Sequence, residues 1–85
     1  MDTQKEIVMH KFKLSITTGE EAKMLRLKLK MNQTQFWGKL GVTQSGGSRY
    51  ESERNIPRPV QILLNLAYGT EKRAQDLLAA LRARD

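Results

Sequence analysis

Residues 32–54 read N-Q-T-Q-F-W-G-K-L-G-V-T-Q-S-G-G-S-R-Y-E-S-E-R, and the local start and stop signals in this stretch decide the fold. Asn32 followed by Gln35 is a capping pair: the first side chain accepts a free backbone N–H of the opening turn and the second returns the bond. Phe36 and Leu40 then supply the buried face of a short helix. Gly41 suits the left-handed position at its end. Thr43 caps the next helix, which runs to about Ser52, turns Tyr50 inward and leaves Gln44, Ser45, Ser48 and Arg49 facing out. Gly46 and Gly47 lie in the interior of that helix, where each costs roughly 1 kcal/mol in propensity.

The same signals recur on both sides. Thr18 with Glu21 forms another capping box, and Ala22, Leu25 and Leu29 fall on one face of a first helix to about Lys30. Residues 55–59 read as a loop, with Pro59 placed as the first residue of a fourth helix. Val60, Ile62, Leu63, Leu64, Leu66 and Ala67 make that helix apolar nearly all round, which marks it as the central buried element. Gly69 ends it. Thr70 then caps a fifth helix whose Ala74, Leu77, Leu78 and Leu81 share a face, with acidic residues early and Arg82 and Arg84 late, as the helix dipole favours.

The expectation is therefore an all-α domain of five helices over residues 18–85, preceded by an arm over residues 1–17. In the arm, Val8, His10, Phe12, Leu14 and Ile16 share one parity and Lys11, Lys13 and Ser15 the other, the pattern of a strand. No second strand-like segment exists to pair with it. Antiparallel pairing of residues 11–16 with a second copy is the simplest closure and predicts a homodimer; the competing reading is a monomer whose arm is disordered or forms a helix from Thr3 to about Lys11. At 85 residues the chain has room for one modest core, which excludes a multidomain enzyme.

With no cysteine and a single histidine, His10, the chain lacks the usual zinc ligands and disulfides. No cofactor is expected. Neither a paired-carboxylate arrangement nor a Ser or Thr with an adjacent base is present, so no catalysis is expected either. No apolar run approaches the roughly 18 residues of a membrane span, and a bacterial cytoplasmic or nucleoid setting follows as the expectation.

Charge points to the partner. The formal net charge is +6, and residues 22–58 carry all of it, with eight basic side chains against two acidic ones, while the flanks hold seven of each sign. A basic middle inside a neutral frame fits a surface that neutralises phosphates. Two short helices joined by a turn, the second offering short polar and basic side chains, form the geometry of a helix-turn-helix.

Here the sequence resembles the lambda-repressor-like (Xre or Cro type) regulators of bacteria and phages. The matching residues are Leu25-Arg26, Asn32-Gln33, the run from Leu40 to Ser45, and Ser48-Arg49-Tyr50-Glu51, followed at the family's distance by Pro57 or Pro59, Leu63 and Leu66-Ala67. The likeness covers roughly residues 18–69. It implies a sequence-specific DNA-binding repressor, dimeric on double-stranded DNA.

It further implies that Gln44, Ser45, Ser48 and Arg49 meet the major groove, where Gln reads adenine and Arg reads guanine, and that Thr43 is a DNA-binding residue beside them. Gln33 resembles a phosphate clamp whose loss would weaken all sequences alike, and Arg54 and Asn55 are further phosphate contacts. Arg26 and Glu51 resemble the family's internal ion pair, a structural rather than a binding feature.

The sequence departs from the family at several positions. Gly46 and Gly47 replace a helix former and a buried branched residue, and Trp37 replaces a small one, so Trp37 is expected to fill the volume vacated at Gly47. Glu53 stands where a left-handed glycine usually ends the helix. An alternative function on the same scaffold is a protein-binding module of antitoxin type, holding a toxin or another protein partner.

Overall fold

The computed structural model describes residues 14–53 and 55–84. Five helices follow one another: α1 (Gly19–Lys28), α2 (Gln33–Gly38), α3 (Gln44–Glu53), α4 (Arg58–Tyr68) and α5 (Glu71–Arg82). The fold is all-α, as expected. Among the described residues there is no strand, and the only β-type pairing is a single antiparallel bridge between Thr18 and Asn55. Most of the expected strand, with the rest of the arm up to residue 13, lies outside the described residues.

The helix starts are built by their caps. Thr18 Oγ1 accepts from Glu21 N at 3.1 Å while Glu21 Oε1 accepts from the backbone N–H groups of Thr18 at 3.1 Å and Thr17 at 2.9 Å. Asn32 and Gln35 repeat this at α2, at 2.8 and 3.0 Å. Thr43 Oγ1 takes the N–H of Gly46 and Thr70 Oγ1 that of Arg73. Each such cap contributes about 1 kcal/mol. At α4 the cap residue is Pro57 and Arg58 comes first in the helix, so Pro59 stands second rather than first; either place needs no N–H.

Helices α1 and α2 end with one and the same device. After α1 the N–H of Lys30 reaches Leu27 O and that of Met31 reaches Arg26 O; after α2 the N–H of Gly41 reaches Gly38 O and that of Val42 reaches Trp37 O. Both are Schellman closures, which need a left-handed residue at the first position outside the helix. Gly41 meets that need at φ 80°, and Lys30 meets it at φ 58° despite its side chain. Glu53, which stands where the family's left-handed glycine usually ends the helix, is itself the last residue of α3.

The core gathers Ile16, Ala22, Phe36, Trp37, Ile56 and Leu64, with Leu25, Met31, Leu40, Val42, Tyr50, Val60 and Tyr68 packed around it. Phe36 is its centre: Tyr68 stacks on it at 4.3 Å, Trp37 meets it edge-on at 5.3 Å, and the Tyr68 hydroxyl donates to Phe36 O at 2.6 Å. Burial raises the Tyr68 pKa above its ordinary value. Helix α5 adds Leu77 and Ala80 and packs on α4.

Two expectations change. Helix α4 is not apolar all round: Leu63 faces solvent, and Asn65 is buried beside Leu64. The Asn65 carboxamide is a clamp. Its Oδ1 accepts from Ser15 N at 2.8 Å and Ile16 N at 3.2 Å, and its Nδ2 donates to Ile16 O at 2.9 Å and Gln61 O at 2.7 Å. A side chain of the same molecule thus satisfies the backbone groups that the strand reading assigned to a second copy, at residues 15 and 16. Ile16 enters the core there, and Arg73 Nη1 adds a 2.7 Å bond to Ser15 Oγ.

Candidate nucleic-acid interface

Helix α3 packs on both α1 and α2, and each contact depends on a missing side chain. A Cβ on Gly19 would overlap the Tyr50 carbonyl oxygen, so α1 starts directly against the backbone of α3. At Gly47 a Cβ would run into the Trp37 ring, with Cδ2 at 2.8 Å. Trp37 therefore occupies the space a side chain at Gly47 would take, and α2 and α3 meet ring against backbone. Across the same contact Trp37 and Tyr50 lie 5.6 Å apart, centroid to centroid. The helix continues through both glycines, held by these neighbours rather than by propensity.

Beneath this contact sits Glu51, 8 % exposed. Its Oε2 accepts from Arg26 Nε at 2.8 Å and from the Trp37 indole Nε1 at 2.8 Å, and its Oε1 accepts from Arg26 Nη2 at 3.0 Å and from Gln33 Nε2 at 3.1 Å. Arg26 also donates from Nη1 to Met31 O at 3.1 Å, in the turn before α2. One carboxylate thus ties α1, α2 and α3 together. Burial pushes its pKa up, but the bonds from Arg26, Trp37 and Gln33, with the Arg26 charge, outweigh that and hold it below the ordinary carboxylate value.

From Glu51 the bonding runs outward. Gln33, the first residue of α2, donates inward to Glu51 and accepts on Oε1 from Gln44 Nε2 at 2.6 Å. Gln44 opens α3 and is exposed, as are Ser45 and Arg49; Ser48 is half-buried. Thr43 is exposed, with its hydroxyl oxygen engaged in capping α3. Asn55 is exposed and bridged through its backbone to Thr18, so it lies at the start of α1 as well as beyond α3. Arg54 lies outside the described residues. Lys23, Lys28, Lys30, Lys39 and Arg58 are all exposed.

The structure brings Gln33 and Gln44 into contact, a pairing that the separate reading of each residue does not contain. Sequence reading also misses the Trp37 bond to Glu51. A signal for it exists, because a buried indole N–H must find an acceptor. Among the described residues no cluster of His, Cys, Asp or Glu could hold a metal ion, and no helix is long and apolar enough to cross a membrane.

A short helix, a left-handed turn and a second helix with an exposed polar row, locked to the helix before them, define a helix-turn-helix DNA-binding domain. Comparison with family models agrees and narrows it. The RsaL-like HTH domain model matches residues 23–67, more than half of the chain, and the chain belongs to that family. No curated protein and no solved structure compared with the chain matches it.

Proposed function

We propose that the chain is a sequence-specific transcriptional regulator, a repressor that binds double-stranded DNA as a homodimer in the bacterial cytoplasm, at the nucleoid, and carries out no catalysis. It places α3 in the major groove, with Gln44, Ser45, Ser48 and Arg49 toward base edges and Thr43, Arg54 and Asn55 toward the backbone. The carrying observation is the exposed row at the start of α3, joined to α2 by the Gln33–Gln44 bond. The closer likeness to lambda-repressor-like regulators rests on the five-helix order and on the Arg26–Glu51 pair between α1 and α3.

The test is selection of binding sites from random duplex DNA, followed by electrophoretic shift at two salt concentrations. A repressor of this kind keeps its preference for the selected duplex while its affinity falls steeply with salt, and a dimer selects a palindrome with half-sites about 34 Å apart. Arg49→Ala is expected to lose about 1 to 3 kcal/mol on the selected duplex and to relax preference at one base pair. A chain with no sequence preference at either salt would instead be the protein-binding module.

A further inference from the structure

Helix α1 carries a ridge that no other described part of the molecule covers. Glu20, Met24 and Lys28 follow one another four residues apart, so they line up along the helix. All three are exposed, Met24 at 66 %, and Leu27 beside them is 54 % exposed; these two are the most exposed of the large apolar side chains described. At about 100° per residue, Met24 lies about 200° round the helix from Ala22, which is fully buried. Gly19 and Arg26, which meet Tyr50 and Glu51 of α3, lie on the Ala22 side. The ridge therefore faces away from α3. Among the described residues the ion pairs are Arg26–Glu51 and Lys72–Asp76, so neither Glu20 nor Lys28 has a charged partner there.

An acidic, an apolar and a basic residue at equal steps make a ridge that is complementary to its own reversed copy. With a twofold axis at Met24, the two Met24 side chains meet, and Glu20 of each copy meets Lys28 of the other at either end, with Leu27 closing the side. We propose that α1 is a self-association surface: two copies of the chain pair antiparallel through Glu20, Met24, Leu27 and Lys28, and the pair, with its α3 helices turned outward on opposite sides, joins two DNA duplexes. The pairing stands on α1 alone, and its bridging consequence rests on the DNA-binding role proposed above. It is a different contact from the dimer on a palindrome, whose two α3 helices face one duplex. A ridge of four side chains is far smaller than the interface of a permanent dimer, so free copies pair weakly, while copies concentrated on DNA pair readily.

The chain contains no cysteine, which makes disulfide trapping specific. In the full chain under mild oxidation, Met24→Cys is expected to form a linked dimer about tenfold faster than Thr34→Cys, a change at an exposed position on α2, because only the first brings two thiols together at the twofold axis. On the Met24→Cys background, Glu20→Lys and Lys28→Glu are each expected to slow the linkage. An equimolar mixture of those two chains is expected to link unlike copies about tenfold above the statistical share, since unlike copies restore both charge pairs and like copies repel.

For the bridging, a duplex selected from random DNA is fixed to beads and a labelled copy of it is added in solution. The wild-type chain is expected to capture the labelled duplex. Met24→Glu is expected to capture about tenfold less, while it binds a single duplex and melts as the wild type does. Equal linkage rates for Met24→Cys and Thr34→Cys, or a statistical mixture of linked chains, overturn the pairing and leave the ridge to a different protein. Linkage without capture, in a chain that binds single duplexes, overturns the bridging. A wild-type chain that binds no duplex overturns the DNA-binding role and the bridging with it, and the linkage rates still decide the pairing.

Discussion

Glu51 holds three helices together through the four hydrogen bonds it accepts. Removing it as Glu51→Ala would strand a guanidinium that is 11 % exposed, a buried indole N–H and an amide. The expected loss is about 3 to 5 kcal/mol, the cost typical of breaking a buried ion pair; urea unfolding measures it, and an unchanged midpoint would mean that the pair is not buried in solution. Acid tests the same group. Because its pKa is lower folded than unfolded, its contribution is complete above the ordinary value of 4.5 and is lost as the pH falls through the folded value. Glu21, lowered chiefly by the Thr17 backbone N–H, acts in the same direction, so the melting temperature should decline below about pH 4.5 and less steeply in Glu51→Gln.

At the scale of the element, the two glycines of α3 are predicted to behave differently. In an exposed helix either would gain about 1 kcal/mol on replacement by Ala. Gly46→Ala meets Val42 Cγ1 and Thr43 Oγ1 at 3.2 and 3.3 Å, a contact that a shift of a few tenths of an ångström relieves and that offsets part of the propensity gain, so it should be close to neutral. Gly47→Ala meets the fixed ring of Trp37 and should destabilise by about 1 to 3 kcal/mol; thermal melts of both variants decide it, and equal gains would mean that the ring moves aside. Trp37→Ala should cost about 3 to 5 kcal/mol, since the ring is fully buried. The caps at Thr18, Asn32, Thr43 and Thr70 were legible in the sequence because a cap is made of residues three apart. The left-handed Lys30 was not, because nothing local distinguishes a lysine that the following turn forces to φ 58°.

Across the whole molecule, legibility follows sequence separation. The strand pattern of residues 8–16 promised backbone groups in search of partners, and for residues 15 and 16 the partner is Asn65, 49 to 50 positions away. A polar residue inside the run from Val60 to Ala67 gives no sign of what it will hold, and for the same reason the link from Gln44 through Gln33 to Glu51 had to be seen to be known. Asn65→Ala is expected to lose about 1 to 3 kcal/mol by leaving these buried backbone groups unpaired, and hydrogen exchange should show Ile16 N–H losing protection before the helices do. The clamp also has a consequence for how the protein is made. Ile16 emerges from the ribosome early, but the groups that fasten it arrive about fifty residues later, a delay of about 3 to 10 s at ordinary rates of synthesis. Helical domains fold in microseconds to milliseconds once complete, so the nascent chain holds Ile16 uncovered for thousands of folding times, and translation rather than folding sets the moment at which this residue is fastened.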